Sequence, residues 1–275
     1  MNATLPRIAL LGTGKMVGAI LDGLLQPDVT FVSLRATTHS VASAQKLAAR
    51  GVEAKSLEAD PGANTWAVEG ADIVILGVKP YAIIDVARSV APALSPHAVV
   101  VSVAAGITTA QIKSVVKVPV VRAMPNTPSQ IRQGVTGIAG GSRSTTEHLA
   151  MVETLFSLVG DVVVVEETQI NTLSALSGSG PAYLFYIAEK LIDVAQQRGF
   201  SEEQANTMVK GTLLGAATLL DHSASTPTEL RKAVTSPGGT TEQAIAVLEA
   251  HDLGAVWAEA IDRAVARAEE MAATR

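Results

Sequence analysis

Three short stretches carry residue types whose spacing could do chemistry. The first is Leu11-Gly12-Thr13-Gly14-Lys15-Met16-Val17-Gly18, set between an apolar run, Ile8-Ala9-Leu10-Leu11, and an apolar-periodic segment, Met16-Val17-Ile20-Leu21-Leu24-Leu25. Strand, glycine turn and helix in that order form a dinucleotide fingerprint. Gly12 permits the tight turn, Gly14 lets backbone N–H groups approach a pyrophosphate, and the helix N-terminus adds partial positive charge. The third glycine is displaced by one, since Val17 stands where the strict pattern has glycine and Gly18 follows it. A glycine-rich turn of some other α/β domain is the competing reading, and the strand-turn-helix context weighs against it.

The second stretch lies after an apolar run read as a strand over Val29–Leu34, where the chain offers Arg35, Thr37 and Thr38. NAD-specific folds usually place an acid there for the ribose 2′-OH, whereas a cation and hydroxyls suit a 2′-phosphate. The expectation is NADPH, with NADH still admitted; an ordinary solvated loop is the plain alternative. The third stretch is Thr235-Ser236-Pro237-Gly238-Gly239-Thr240-Thr241, followed by Glu242 and a helix to about Ala250. A turn leading into a helix points free N–H groups outward, and its glycines remove side-chain obstruction, so a small carboxylate can bind. A helix cap with no ligand reads equally well from these residues alone.

The elements that must position these stretches follow the chain. Ala71–Val78 is a nearly continuous apolar run, as a parallel strand buried on both faces shows, and it ends in Val78-Lys79-Pro80. Ala98–Val103 runs into Ala104 and Ala105, small enough to leave room for a flat ring. Val118–Met124 breaks at Pro125-Asn126-Thr127-Pro128, and Gly134–Gly140 and Asp161–Val165 complete the strands, with a helix over Thr145–Val159. Strands alternating with helices predict a Rossmann-type, mostly parallel sheet over residues 1–166. No β-rich run appears after Glu167, so residues 167–275 read as an all-α domain. Its segment Met208–Leu220 is apolar nearly all round, which a small helical domain cannot bury alone and which predicts a subunit interface.

Bulk properties narrow the class. A chain of 275 residues can bury a sizeable core, and with 3% aromatics that core must be built of Ala, Val, Leu and Ile. A net charge of −5 argues against a nucleic-acid partner. The absence of cysteine excludes disulfides and thiolate metal sites, and no metal is called for. With no signal-like N-terminus and no run long enough to span a membrane, a cytoplasmic protein with no membrane partner is the expectation.

The ordered set Gly12-x-Gly14-x-Met16, Val78-Lys79-Pro80, Arg122-Ala123-Met124-Pro125-Asn126-Thr127-Pro128, Ser177-Gly178-Ser179-Gly180-Pro181-Ala182-Tyr183 and Thr235–Thr241 resembles the pyrroline-5-carboxylate reductase family. The resemblance spans nearly the whole chain. It implies hydride transfer from NAD(P)H to the C=N carbon of 1-pyrroline-5-carboxylate, the last step of proline synthesis. It further implies a C-terminal dimerisation domain whose helices interleave with those of a second copy, such dimers often assembling into decamers. Carried over by position, it places the cofactor against Leu11, Gly12, Thr13, Gly14, Lys15, Met16, Arg35, Thr37, Asn64, Val78, Lys79, Pro80, Val103, Ala104 and Ala105. Asn64 also reads as a plain turn residue after Asp60-Pro61-Gly62. The substrate falls to Ser236, Gly238, Gly239, Thr240 and Thr241, with Thr241 as the catalytic hydroxyl on the ring nitrogen. Ala175 stands where the family is expected to have glycine.

The residues that are absent agree with an imine. A ketone reductase needs a proton donor for its alkoxide, yet none of His39, His97, His148, His222 and His251 lies in a motif. An imine can be protonated before hydride arrives, so hydroxyls that position it suffice. A β-hydroxyacid dehydrogenase would carry a lysine four residues after Gly180, where Leu184 stands, and Lys190 is too far along. A non-catalytic NADP-binding sensor would bind the cofactor without turnover.

Overall fold

A computed structural model describes residues 4–273. It contains strands β1 (Leu5–Leu11), β2 (Phe31–Thr38), β3 (Glu53–Ser56), β4 (Ile73–Leu76), β5 (Val99–Ser102), β6 (Val120–Met124), β7 (Gly134–Gly140) and β8 (Gly160–Val164). Between them run helices α1 (Lys15–Leu24), α2 (Val41–Ala48), α3 (Ala63–Val68), α4 (Ile83–Val90), α5 (Thr109–Lys113) and α6 (Thr146–Phe156). The strands form one sheet in the order β3-β2-β1-β4-β5-β6-β7-β8. Every pairing is parallel except β6 with β7. The order reverses between β1 and β4, and a doubly wound sheet of this kind binds ligands outside the carboxyl ends of its strands at that switch point.

Period-two alternation in the central strands builds a core on each face. Ile8, Leu10, Ile73, Ile75, Val99 and Val101 join one cluster with Val17, Ile20, Leu21 and Leu24 of α1 and Phe156 of α6. Ala9, Leu11, Val74, Leu76 and Val100 join the other with Ala67, Ile83, Ala87 and Ile112 from α3, α4 and α5. Because both faces are covered, β4, β5 and β6 are buried at every position. That explains why they read as nearly continuous apolar runs, broken only by the buried Ser102 and Arg122.

The chain continues through α7 (Ile170–Leu173) into a π-helical turn, Ser174–Gly178, and then α8 (Gly180–Gln197), α9 (Glu202–His222), α10 (Pro227–Ala233), α11 (Thr240–Ala250) and α12 (Leu253–Ala273). It divides into two compact units, one of them Gly180–Arg263 and the other formed by the remainder. Within the helical unit, Ser201 with Gln204 and Thr226 with Glu229 form capping boxes, and Pro227 sits in the first turn of α10. Tyr183 and Trp257 stack with ring centroids 5.4 Å apart.

This helical unit has almost no interior within one chain. Among its described helices α8 to α11, the single buried residue is Ala205. Phe185, Tyr186, Leu191 and Met208 are exposed, and Leu214 is 69% exposed. An apolar surface of this extent marks an interaction face.

Candidate functional site: a glycine-turn nucleotide cradle and a helix-start loop

The carboxyl ends of β1, β4 and β5 come together along one edge of the sheet. Gly77 N–H donates to the Leu11 carbonyl at 2.8 Å, and Val103 N–H to the Leu76 carbonyl at 3.3 Å. These bonds set Gly12, Val78 and Val103 side by side at the switch point. Gly12 turns the chain with φ +81°, and a Cβ there would lie 2.6 Å from Val78 Cγ1 and 3.0 Å from the Val78 amide nitrogen. Only glycine satisfies both the angle and the space.

Three N–H groups of this turn are occupied by the protein itself. Gly12 N–H donates to the Thr37 carbonyl at 3.2 Å and shares its hydrogen with Thr37 Oγ1, while Thr13 N–H donates to the same carbonyl at 3.0 Å. Gly14 N–H donates to the Gly12 carbonyl at 2.9 Å, but its Cα faces open space, with no neighbouring atom within 4 Å of where a Cβ would stand. It caps α1 without a side chain, and the first turn carries no acid. The start of α1 is therefore open and positive, with Lys15 and Lys79 exposed at the same edge. A pyrophosphate fits that cradle.

Thr37 and Asn64 stand behind the turn. Thr37 is fully buried, and its hydroxyl donates to Asn64 Oδ1 at 2.7 Å. Asn64 lies in the first turn of α3, so it is helical and supports β2. Ala104 is buried and Ala105 exposed just beyond β5, and Pro80 starts a short 3₁₀ turn after Lys79.

Arg35 does not lie at the end of its strand, where the sequence pattern put it. The strand that ends at Leu34 by that pattern runs on to Thr38, because β1 pairs with it as far as Leu11↔Thr37 and β3 from Arg35↔Glu53 to Thr38↔Ser56. Arg35 thus sits within the ladder, three residues short of the carboxyl edge. Its Nη1 donates to the Trp66 carbonyl at 2.9 Å, its Nε faces Glu53 at 3.4 Å, and its guanidinium lies 5.0 Å from the Trp66 ring centroid. These contacts hold it away from the cofactor edge. The residues at the end of β2 are Thr38, His39 and Ser40, where Thr38 Oγ1 donates to the Ser40 carbonyl at 2.9 Å.

The loop at Ser236 is built around α11. Helix α11 begins at Thr240, two residues earlier than the sequence pattern suggests, so Thr240 and Thr241 lie in its first turn with Gly239 as cap. Gly238 adopts φ +71°. The glycine N–H groups are not free, because Gly238 N–H donates to Glu242 Oε2 at 2.8 Å and Gly239 N–H to the Ser236 carbonyl at 2.9 Å. Both glycines shape the loop through their backbone. The groups left for an anion are the first-turn N–H groups of Thr240 and Thr241 and the hydroxyls of Ser236, Thr240 and Thr241. Glu242 is the residue that sequence reasoning missed here, although acids in a first helical turn are common enough to have raised it.

The Asn126 loop is tied to the π-helical turn. Asn126 Nδ2 donates to the Ser177 carbonyl at 3.0 Å while its Oδ1 accepts from Val135 N–H at 2.9 Å. Arg122 Nη2 donates to Asn171 Oδ1 at 2.9 Å, and Glu167 accepts from Thr109. Burial pushes the Arg122 guanidinium below its ordinary value, and the nearby Glu167 charge opposes that shift. Ala175 is the buried residue of this turn. Among the histidines, His39, His97, His222 and His251 are exposed and His148 caps α6 from its own first turn.

A doubly wound sheet with a glycine cradle at its switch point, followed by a helical unit with exposed apolar faces, defines the class of Rossmann-type nucleotide-binding proteins. The comparisons narrow this class. Residues 167–271 match the family model "Pyrroline-5-carboxylate reductase dimerisation", and residues 7–106 match "NADP oxidoreductase coenzyme F420-dependent". The pyrroline-5-carboxylate reductase of Pseudomonas aeruginosa is 36% identical over 97% of both chains. The solved pyrroline-5-carboxylate reductase of Coxiella burnetii is 36% identical, covers 96% of this chain and 98% of its own, and superposes with a TM-score of 0.87. The Plasmodium falciparum pyrroline carboxylate reductase, solved with NADP bound, shares the fold at TM-score 0.82 and 22% identity, covering 97% and 98% of the two chains. The chain belongs to the pyrroline-5-carboxylate reductase family, and it is an oxidoreductase. No described helix is long and apolar enough to cross a membrane.

Proposed function

We propose that the enzyme works as a cytoplasmic homo-oligomer in which residues 1–166 bind the nucleotide and residues 167–275 hold the substrate. As a pyrroline-5-carboxylate reductase it reduces 1-pyrroline-5-carboxylate to L-proline, the last step of proline biosynthesis. NADPH supplies the hydride when bound, and NADH is admitted. The open N-terminus of α1 at Gly14 carries the cofactor reading. Lys15 and Met16 meet the pyrophosphate, Lys79 adds charge, and Leu11, Gly12, Thr13, Val78, Pro80, Val103, Ala104 and Ala105 wall the site, with Thr37 and Asn64 supporting it.

At the helix-start loop the residues do three things. Ser236 and the first-turn N–H groups of Thr240 and Thr241 neutralise the substrate carboxylate, as a helix N-terminus does. Gly238 and Gly239 keep the approach clear. The Thr241 hydroxyl bonds the ring nitrogen and fixes the C=N carbon for attack, so positioning does the work that an acid would do for a ketone. The lack of a buried core in α8 to α11 supports a homodimer with interleaved helical domains, and a decamer of such dimers is the larger assembly this reading admits.

One assay tests the reaction. Loss of the reduced-nicotinamide absorbance is followed with pyrroline-5-carboxylate, a six-membered cyclic imine and a 2-keto acid in parallel. Turnover of the five-membered imine above the others is expected, and turnover of the keto acid alone would overturn the reading.

A further inference from the structure

Nucleotide preference in a doubly wound fold is set where the ribose 2′ group meets the carboxyl end of the second strand, and that end is not where Arg35 lies. It is the segment Thr38-His39-Ser40 together with the start of α2. Ser40 caps α2, and its hydroxyl accepts from Ser43 N–H at 3.3 Å. The next N–H of that helix, on Val41, is already bonded. It donates to Glu58 Oε2 at 3.0 Å, and the Glu58 N–H in turn donates to the His39 carbonyl at 3.1 Å. Glu58 arrives from the connection between β3 and α3, seventeen residues further along the chain than Val41.

We propose that Glu58 is a specificity-determining residue for the cofactor, one that restrains discrimination in favour of NADPH and keeps NADH admissible. The reasoning rests on the nucleotide site argued above and goes beyond it by naming the group that sorts the two cofactors. An acid at the end of the second strand accepts a hydrogen bond from a ribose 2′-OH and repels a 2′-phosphate. Here no acid lies on the strand itself, since Thr37, Thr38, His39 and Ser40 occupy its end. Glu58 restores the missing carboxylate from a neighbouring loop, fixed by two backbone bonds. It also accepts from the Val41 N–H that a phosphate oxygen would otherwise take. Arg35 cannot neutralise it, because the guanidinium is held by Glu53, Trp66 and the Glu69 carbonyl. Glu58 is exposed, so solvent screens the repulsion, and the expected effect is severalfold rather than a thousandfold.

The test is a binding measurement on the full-length protein. NADP⁺ and NAD⁺ are titrated by calorimetry into wild type, Glu58→Gln and Glu58→Ala, with 2′,5′-ADP and 5′-AMP as fragments that carry only the sorting end. Glu58→Gln keeps an oxygen to accept from Val41 N–H, so the loop stays in place while the charge goes. NADP⁺ and 2′,5′-ADP should tighten about threefold to tenfold in both variants, while NAD⁺ and 5′-AMP hold or weaken. A ratio of NADP⁺ to NAD⁺ affinity that stays within twofold of wild type in both variants would overturn the role of Glu58 while leaving the nucleotide site standing. Failure of wild type to bind any of the four nucleotides would overturn the site and the inference together.

Discussion

The cradle at Gly14 makes a sharp prediction because two neighbouring glycines differ in what a methyl group would meet. Gly14 has φ −84° and ψ −166°, angles alanine adopts freely, and empty space surrounds its missing Cβ. As an N-cap, alanine is poorer than glycine by about 0.5 kcal/mol. Alanine also restricts the unfolded chain, which stabilises by roughly 0.4–1 kcal/mol. The two terms cancel, so Gly14→Ala should melt within about 2 °C of wild type, given roughly 2–4 °C per kcal/mol for a chain of this size. Its methyl group nevertheless stands where the pyrophosphate approaches the start of α1, and NADPH affinity should fall at least tenfold, about 1.4 kcal/mol. Gly12→Ala should behave oppositely in one respect. A left-handed φ of +81° costs an L-residue roughly 1–2 kcal/mol, and the Val78 backbone nitrogen 3.0 Å from the new Cβ cannot rotate away. Its melting temperature should drop by about 2–8 °C as well as its affinity. Cofactor fluorescence titration and thermal melts on both variants provide the check. Wild-type affinity in Gly14→Ala would remove the phosphate from this turn, and a wild-type melt in Gly12→Ala would show that the strain argument fails.

Replacing Arg35 by Met removes its contacts with Glu53, Trp66 and two carbonyls, so stability should fall by about 1–2 kcal/mol. The ratio of NADP⁺ to NAD⁺ affinity should not move, and a shift beyond threefold would return Arg35 to the phosphate site. Thr241→Ala should lower kcat about tenfold to a hundredfold, the worth of a hydrogen bond to a charged group. Nucleotide binding should stay unchanged and Thr241→Ser should recover most of the rate; wild-type turnover in the alanine variant would end the assignment. Glu242→Gln keeps an acceptor for Gly238 N–H but removes a negative charge from the first turn of α11, so KM for pyrroline-5-carboxylate should fall severalfold at low salt with kcat little altered. An unchanged KM would place the substrate carboxylate elsewhere than this helix start.

How much of this was legible in the sequence follows from what each residue has to do. The central strands announced themselves because burial on both faces leaves them few polar positions, as Ile73 to Leu76 and Val99 to Val101 show. The fingerprint was legible because Gly12 answers a steric demand that a single position can state. Strand β3, Glu-Ala-Lys-Ser, was not, since an edge strand half open to solvent carries no apolar pattern. The end of β2 was hidden too. Its apolar pattern stops at Leu34, so Arg35 fell at the cofactor edge, whereas pairing with β1 and β3 sets it inside a ladder. The same physics hid Glu58 and Glu242. Both act through a side-chain oxygen bonded to one backbone N–H, on Val41 and Gly238 respectively. A carboxylate on a polar loop has no periodicity to betray such a bond. The sequence alone could mark where an anion-binding helix start exists. Which of its donors the protein has already satisfied is a property of the folded loop, and at both helix starts that difference decides which groups remain for cofactor and substrate.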